Sequence, residues 1–179
     1  PSYARQMYNQ FIVDLQQHRC QLVVLGGNHD SVATLDEYTN LLAHLNTRVV
    51  AGIGENLEEQ VLLLNDKQGE PGAIVCAVAY IRPRDVLQSR AGQSGDEKQM
   101  ELQQAIKEHY QDVFKLALDK RERLNKPLPV IATGHLTCVG VSKTDSVRDI
   151  YIGNLEAFPA DGFPAADYIA LGHMHRAQR

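Results

Sequence analysis

The chain has 179 residues, of which 44% are hydrophobic and 22% are charged, and its formal net charge is −4. This length and composition predict one domain with a buried core and exclude a disordered tail. The negative charge excludes a global attraction to nucleic acid, so a DNA partner would need local basic patches or metal ions. No apolar run reaches the roughly 20 residues of a membrane span. Three widely spaced cysteines, without a CxxC pair, indicate a reducing cytoplasm.

The first half of the chain alternates predicted helices and strands. Apolar residues from Ala4 to Leu15 recur at helical spacing, and Ser2 is a candidate N-cap. A second helical pattern extends from Leu35 to Leu45. Strands are predicted over 21–25, 49–51, 61–64 and 73–81, with residues 69–72 as the turn between the last two.

In the second half of the chain, a predicted loop is followed by a long predicted helix and then by two short apolar strands. Residues 82–95 are rich in Arg, Pro, Gly and Ser and are predicted to form that loop. Glu97 to about Leu124 is predicted to be helical, with one apolar face made of Leu102, Ile106, Tyr110, Val113 and Ala117. Apolar strands are predicted over 130–133 and 168–171. Such strands, alternating with helices, imply a layered α/β fold.

Three predicted strands are each followed by Gly and then by His or Asn-His. The stretches are "LGGNHD" at 25–30, "IATGH" at 131–135 and "IALGHMH" at 169–175. Ligand sites gather at strand ends in α/β folds, and Gly lets the backbone approach a metal closely. Imidazole and amide oxygen suit divalent Mn, Fe, Zn or Co. The alternative is that these histidines only bind loop carbonyls, but three buried polar groups at separate strand ends favour a shared site.

These motifs resemble those of the calcineurin-like metallophosphoesterases, whose pattern is DxH, GDxxD, GNH(D/E), GH and GHxH. The chain contains the last three in that order. Longer stretches, including "YIRPRD" at 80–85 and residues 2–35, are similar to the nuclease subunits of bacterial DNA-repair complexes within this family. The resemblance covers essentially the whole chain. It implies an αββα-type layered sandwich, with residues 1–179 as a single partial domain and residues 82–129 as a loop and long helix within it.

The resemblance also implies a two-metal phosphodiesterase site. Mn²⁺ is the expected ion, with Mg²⁺ as an alternative, and the pair would clamp a phosphodiester and activate water for in-line attack. Asn28, His135 and His173 would bind one ion, and His175 would bind the other.

Two further residues of the first motif have implied catalytic roles. His29 would stabilise developing charge or protonate the leaving 3′ oxygen. Asp30 would fix the orientation and tautomer of the His29 ring. Asp30 is alternatively, or in addition, the N-cap of the helical pattern that begins near Val32.

The DxH and GDxxD motifs are absent from the 179 residues. The family places them upstream of the first helix, so we expect an internal fragment that also lacks the C-terminal part of the protein. Weak metal binding and little or no nuclease activity are therefore predicted for these residues alone. Loss of the first strands would expose sheet edges and invite swapped dimers.

The implied activity is that of a Mn-dependent DNA nuclease subunit. Such an enzyme degrades double strands as an exonuclease, cuts single strands as an endonuclease and opens hairpins, together with an ATPase subunit, in a complex that we expect to be dimeric. Its context is DNA repair, recombination and replication. Candidate contacts with DNA phosphates are Arg82, Arg84, Lys143, Arg148 and Arg176. The first two are favoured because Pro83 stiffens the loop between them.

Two alternatives to a nuclease remain open. A phosphatase or cyclic-nucleotide phosphodiesterase of the same fold would carry the same five motifs, so only the longer similar stretches argue against it. A catalytically silent binding or structural chain is the alternative for the 179 residues alone, because half of the ligand set is missing.

Overall fold

A computed structural model describes residues 2–87, 92, 94–139 and 158–174 of the chain. Helix α1, Tyr3–Gln16, begins after Ser2, whose hydroxyl accepts the Arg5 N–H and so confirms the predicted N-cap. Strand β1, Leu22–Leu25, pairs in parallel with β2, Thr47–Val50, to form a two-stranded sheet.

The helical pattern predicted over 35–45 is divided in two. Helix α2, Val32–Asp36, is capped by Ser31, whose hydroxyl accepts the Thr34 N–H. Helix α3, Thr39–Ala43, follows after Tyr38, whose φ of −123° and ψ of 18° interrupt the helical backbone. The prediction of Asp30 as the N-cap is therefore wrong, because the neighbouring Ser31 takes that position.

A mixed four-stranded sheet forms the centre of the described structure. Its order is β3 (Val61–Asn65), β4 (Pro71–Cys76), β5 (Val130–His135) and β8 (Tyr168–Gly172). The pair β3–β4 is antiparallel, whereas β4–β5 and β5–β8 are parallel. The turn predicted at 69–72 lies earlier, over 66–70, because β4 already begins at Pro71.

The strand predicted over 73–81 is wrong at its end, since β4 stops at Cys76. Residues 77–79 are nonetheless buried, and the backbone N–H of Tyr80 donates to the carbonyl of Gly26 at 2.8 Å. This segment therefore leaves the mixed sheet and lies against the end of β1. It links the two sheets at the edge where the polar motifs gather.

Helix α5, Gly95–Leu124, packs on one face of the mixed sheet. Ser94 caps its first turn, and the Glu97 carboxylate accepts the Ser94 N–H in return. The five apolar residues predicted for one face are the buried residues of this helix. They pack with Ile74 and Cys76 of β4, whereas Val75, which points to the other face, packs with Val50 and partly buried Val23 and Leu25 of the two-stranded sheet.

Short elements complete the described structure. The predicted loop over 82–95 contains a one-turn helix, α4, Pro83–Val86. Strands β6, Cys138–Val139, and β7, Phe158–Pro159, pair in parallel, and 3₁₀ turns occupy Leu57–Gln60 and Ala160–Gly162. None of the described helices has both the length and the apolar character that a membrane crossing requires.

Candidate metal centre

The structure brings the three predicted strand-end motifs together. Strands β5 and β8 pair in register through His135 opposite Gly172, so His135 and His173 leave the same edge of the sheet side by side. The end of β1 reaches the same edge, because Gly26 donates to Val50 and accepts from Tyr80. Asn28 follows two residues later. His175, the fourth predicted ligand, lies outside the described residues.

The three donor atoms meet around the Nε2 atom of His135. Asn28 Oδ1 lies 3.0 Å from this atom, and His173 Nδ1 lies 3.3 Å from it. Two ligand atoms that share one divalent ion at about 2.1 Å lie roughly 3.0–3.4 Å apart, from octahedral to tetrahedral angles. The separations therefore fit a shared ion, and they equally fit direct hydrogen bonds between the rings and the amide.

Two glycines leave the space that the His135 ring occupies. A Cβ atom at Gly27 would lie 2.8 Å from His135 Cε1 and 3.1 Å from Nε2. A Cβ atom at Gly172 would lie 3.1 Å from Nδ1 of the same ring. Side chains at these positions would displace the imidazole, so the small residues permit the convergence.

His173 is held in an unusual backbone conformation. Its φ of 100° lies in a region that residues with a side chain rarely adopt and that costs free energy. Such outliers persist where the surrounding structure imposes them, and they cluster at functional sites. Here the pairing of β8 with β5 fixes the preceding Gly172, and the left-handed turn then directs the His173 ring toward His135.

The two predicted catalytic residues lie at the exposed side of the cluster. His29 is exposed in the turn between β1 and α2. The Asp30 carboxylate accepts the Gly27 N–H at 2.8 Å, and the Asp30 carbonyl accepts the Arg82 guanidinium at 2.9 Å. Among the described residues Asp30 makes no hydrogen bond to the His29 ring, so the carboxylate stabilises the turn and does not touch the ring it was predicted to orient.

Arg82 and Arg84, the favoured candidates for DNA contact, lie in different environments. Arg82 is half-buried and engaged with Asp30, and its guanidinium carbon lies 5.8 Å from the centre of the Tyr80 ring. The Arg84 side chain is 80% exposed, and its Nε atom lies 3.7 Å from the Asp85 carboxylate. Lys143, Arg148 and Arg176 lie outside the described residues.

Two tyrosines near the cluster were missed in the sequence. Tyr80 contacts the His135 ring edge-on, with 6.0 Å between ring centres. The Tyr8 hydroxyl is buried without a hydrogen-bond partner among the described residues, and burial together with the Asp30 charge raises the pKa of Tyr8. The alternation of Tyr80 and Arg82 on an extended backbone was a usable signal, since it places both on one side. Nothing in the sequence indicated Tyr8.

The donor set is neutral. In the part of the chain that the structure describes, no three His, Cys, Asp or Glu side chains come together as a metal site. Two imidazoles and one carboxamide can hold one face of a divalent ion, but they do not offset its charge. The described residues therefore fit part of a metal centre, to which carboxylate ligands would have to be added.

Fold and site together define an α/β protein whose strand ends bring two imidazoles and a carboxamide together. No model of a known protein family matches the chain. Its curated relatives are nucleases, each named as the D subunit of the nuclease SbcCD: it is 56% identical to that of Escherichia coli K12 over 178 residues, 31% identical to that of Rhodobacter capsulatus over 168, and 30% identical to that of Bacillus subtilis 168 over 184.

These alignments cover 99%, 89% and 99% of this chain, respectively. The chain spans only 43%, 40% and 44% of the same relatives. The resemblance to bacterial nuclease subunits that the motifs predicted is thus confirmed over nearly all of the sequence.

Proposed function

We propose that the complete protein containing this chain is the metal-dependent DNA nuclease subunit of an SbcCD-type complex. The observation that carries the proposal is the meeting of three strand-end motifs at His135 Nε2, within 3.0 and 3.3 Å. The name of the relatives supports a nuclease role. The proposed reactions are exonuclease cleavage of double strands, endonuclease cleavage of single strands and hairpin opening. An αββα-type layering of helices and sheets is part of the same proposal.

The described residues have distinct proposed tasks in phosphodiester hydrolysis. Asn28, His135 and His173 hold one of two divalent ions, preferably Mn²⁺, and His175 contributes to the other. Bound ions would supply Lewis-acid stabilisation of the phosphate and an activated water. His29, exposed beside the cluster, donates a proton or a hydrogen bond to the leaving 3′ oxygen.

Asp30 has a structural part in this proposal. Its carboxylate closes the turn by accepting the Gly27 N–H. This bond fixes the backbone between the ligand Asn28 and the acid His29. Contact with the His29 ring itself, as the sequence predicted, would require substrate or metal to rearrange the turn.

The phosphate contacts rest mainly on exposed basic side chains. Arg84 has an accessible guanidinium and follows Arg82 by two residues, so it is the proposed contact within the described structure. Lys143, Arg148 and Arg176 are further proposed contacts. Arg82 would reach a phosphate only by giving up its bond to Asp30.

Substitution of His29 tests the catalytic assignment in the complete protein. His29→Ala should abolish Mn²⁺-dependent cleavage of a hairpin DNA while the bound metal content stays at the wild-type level. His44→Ala, at an exposed position after α3, is the matched control and should cleave normally. Unchanged cleavage by His29→Ala would refute the role of this residue. Faster turnover of a small phosphodiester than of hairpin DNA would instead indicate a phosphatase or cyclic-nucleotide phosphodiesterase.

An SbcC-type ATPase is the proposed partner, because the relatives are named as the D subunit of SbcCD. We also propose that the protein is a dimer that pairs through α1. Tyr3, Met7 and Phe11 recur every four residues on this helix and are exposed. A self-complementary apolar stripe of this kind suits a two-fold interface.

The dimer is tested by light scattering on the complete protein. Phe11→Glu should convert it to a monomer. Val13→Glu is the matched control, because Val13 is 50% exposed against 54% for Phe11 but lies about 160° around the helix from Phe11 and outside the stripe. Equal dimer content in both variants would place the interface elsewhere.

A further inference from the structure

Arg82 connects two parts of the site that are far apart in the sequence. Its Nη2 atom donates to the backbone carbonyl of Asp30, 52 residues earlier, at 2.9 Å. The carboxylate of Asp85 accepts the Arg82 backbone N–H at 3.2 Å, which fixes the base of the same side chain. The Arg82 side chain is therefore held at its backbone and at its guanidinium. A side chain that only contacts solvent or DNA would not need these restraints.

Tyr80 provides the second support. Its ring lies under the Arg82 guanidinium at 5.8 Å and contacts the His135 ring edge-on. Its backbone N–H donates to Gly26, immediately before the GNHD turn. Tyr80 thus touches the metal-binding imidazole, the end of β1 and the arginine that holds Asp30.

We propose that Arg82 is a positioning residue that, in cation–π contact with Tyr80, fixes the turn carrying Asn28 and His29 relative to His135. This inference rests on the proposed nuclease function and deepens it. Arginine suits the task because its planar fork can donate to a carbonyl while its face stacks on an aromatic ring. Lysine offers a point charge without that geometry.

The arrangement separates Arg82 from Arg84 in function, although only Pro83 lies between them in the sequence. Removal of Arg82 frees the Asp30 carbonyl and lets the turn shift, so it lowers the rate of the chemical step. Loss of a group that orients a metal ligand or catalytic residue, without itself touching the metal or substrate, typically lowers activity or metal affinity about 10- to 100-fold. Removal of Arg84 leaves the turn intact and weakens only the attraction for phosphate.

The experiment compares Arg82→Ala with Arg84→Ala in the complete protein, under single-turnover conditions and over a range of salt concentrations. Arg82→Ala should lower the cleavage rate at saturating DNA about 10- to 100-fold, with an unchanged salt dependence of DNA affinity. Arg84→Ala should reduce the salt slope by about 1, as expected for one lost phosphate contact. A reduced slope with a normal rate for Arg82→Ala would overturn the inference in favour of a DNA contact.

Substitutions of Tyr80 test the cation–π support. Tyr80→Leu should slow cleavage, whereas Tyr80→Phe should cleave at close to the wild-type rate because it keeps the aromatic ring. The double variant of Tyr80→Leu and Arg82→Ala should be little slower than the worse single variant, since both remove one support. Fully multiplicative losses would show that the two residues act independently and would contradict the proposed joint support.

A readout independent of activity separates this inference from the nuclease assignment. Hydrogen exchange of the backbone amides over 26–31 should be faster in Arg82→Ala than in wild type, and unchanged in Arg84→Ala. Arg82→Lys replaces the alanine variant if the latter does not fold. If wild type fails to cleave DNA, the proposed function fails, while the exchange result still decides the positioning role. If wild type cleaves and exchange is the same in all proteins, the positioning role alone is refuted.

Discussion

The glycine before Asn28 offers a direct test of how the proposed metal centre is built. A Cβ atom added at Gly27 would lie 2.8 Å from His135 Cε1 and 3.2 Å from Asp30 Oδ2. Ordinary contact begins at 3.4 Å, so the ring has to move by about 0.6 Å. Gly27 has no positive φ that would strain an alanine, so the perturbation is steric.

The displacement and the overpacking predict three measurable losses for Gly27→Ala in the complete protein. Misplacement of a reacting or ligand group by about 1 Å can cost on the order of 100-fold in rate, so a shift of this size should slow cleavage at least tenfold. Mn²⁺ affinity should fall in parallel. Overpacking should also lower the free energy of unfolding by about 1–3 kcal/mol. Isothermal titration calorimetry, single-turnover cleavage and urea denaturation measure the three effects.

Gly54→Ala is the matched control. The nearest heavy atom to a Cβ at Gly54 is the Asn56 backbone nitrogen at 4.0 Å, so the methyl group has room. Its expected effects are unchanged cleavage and a stability change within about 1 kcal/mol. Wild-type metal affinity in Gly27→Ala would show that the His135 ring is not confined by this turn, and it would refute the steric reasoning.

Three further predictions concern stability and metal binding. His109 is mostly buried, with its Nε2 atom 2.9 Å from Gln60 Oε1, and burial lowers the pKa of its imidazole. The neutral ring therefore contributes its full stabilisation above the ordinary pKa of about 6.5, and this stabilisation is lost as the pH falls through the lowered pKa. Urea midpoints at pH 7.5 and 5.5 should therefore differ less in His109→Gln than in wild type, and an unchanged difference would contradict this. Ser94→Ala should lower the free energy of unfolding by about 1 kcal/mol, whereas Ser94→Thr should keep most of the stabilisation that the cap provides. Equal melting temperatures for the two variants would exclude a capping role. The 179 residues alone should bind Mn²⁺ weakly and cleave little DNA, whereas robust cleavage would show that the missing ligands were wrongly assigned.

Local signals made helix α5 and the motif residues predictable. The apolar spacing gave the buried face of α5 correctly. The helix begins at Gly95, two residues before the predicted Glu97, because Ser94 and Glu97 form a capping box that the prediction did not use. Each strand-end motif likewise carries its Gly, Asn and His in adjacent positions. Such features depend on neighbouring residues, so one sequence suffices to find them.

Features that depend on distant partners were not predictable in the same way. Most of the apolar run 73–81 is buried, but only its first part pairs with strands of the mixed sheet, because the Tyr80 N–H donates to Gly26, just beyond the end of β1. Burial shapes the hydrophobic pattern, whereas strand assignment depends on hydrogen bonds. The hydrogen bond from Arg82 to the Asp30 carbonyl joins residues 52 positions apart, so no local pattern predicts it. A basic residue in a predicted loop is as consistent with a DNA contact as with such a bond.

The central claim is that Asn28, His135 and His173 jointly hold one divalent ion. Titration of Mn²⁺ into the metal-free complete protein, followed by calorimetry and electron paramagnetic resonance, tests it most directly. His135→Ala and His173→Ala should each bind one ion fewer than wild type, or bind that ion at least tenfold more weakly, while His29→Ala binds normally. Wild-type affinity and stoichiometry in both His135→Ala and His173→Ala would show that the cluster is held together by hydrogen bonds alone.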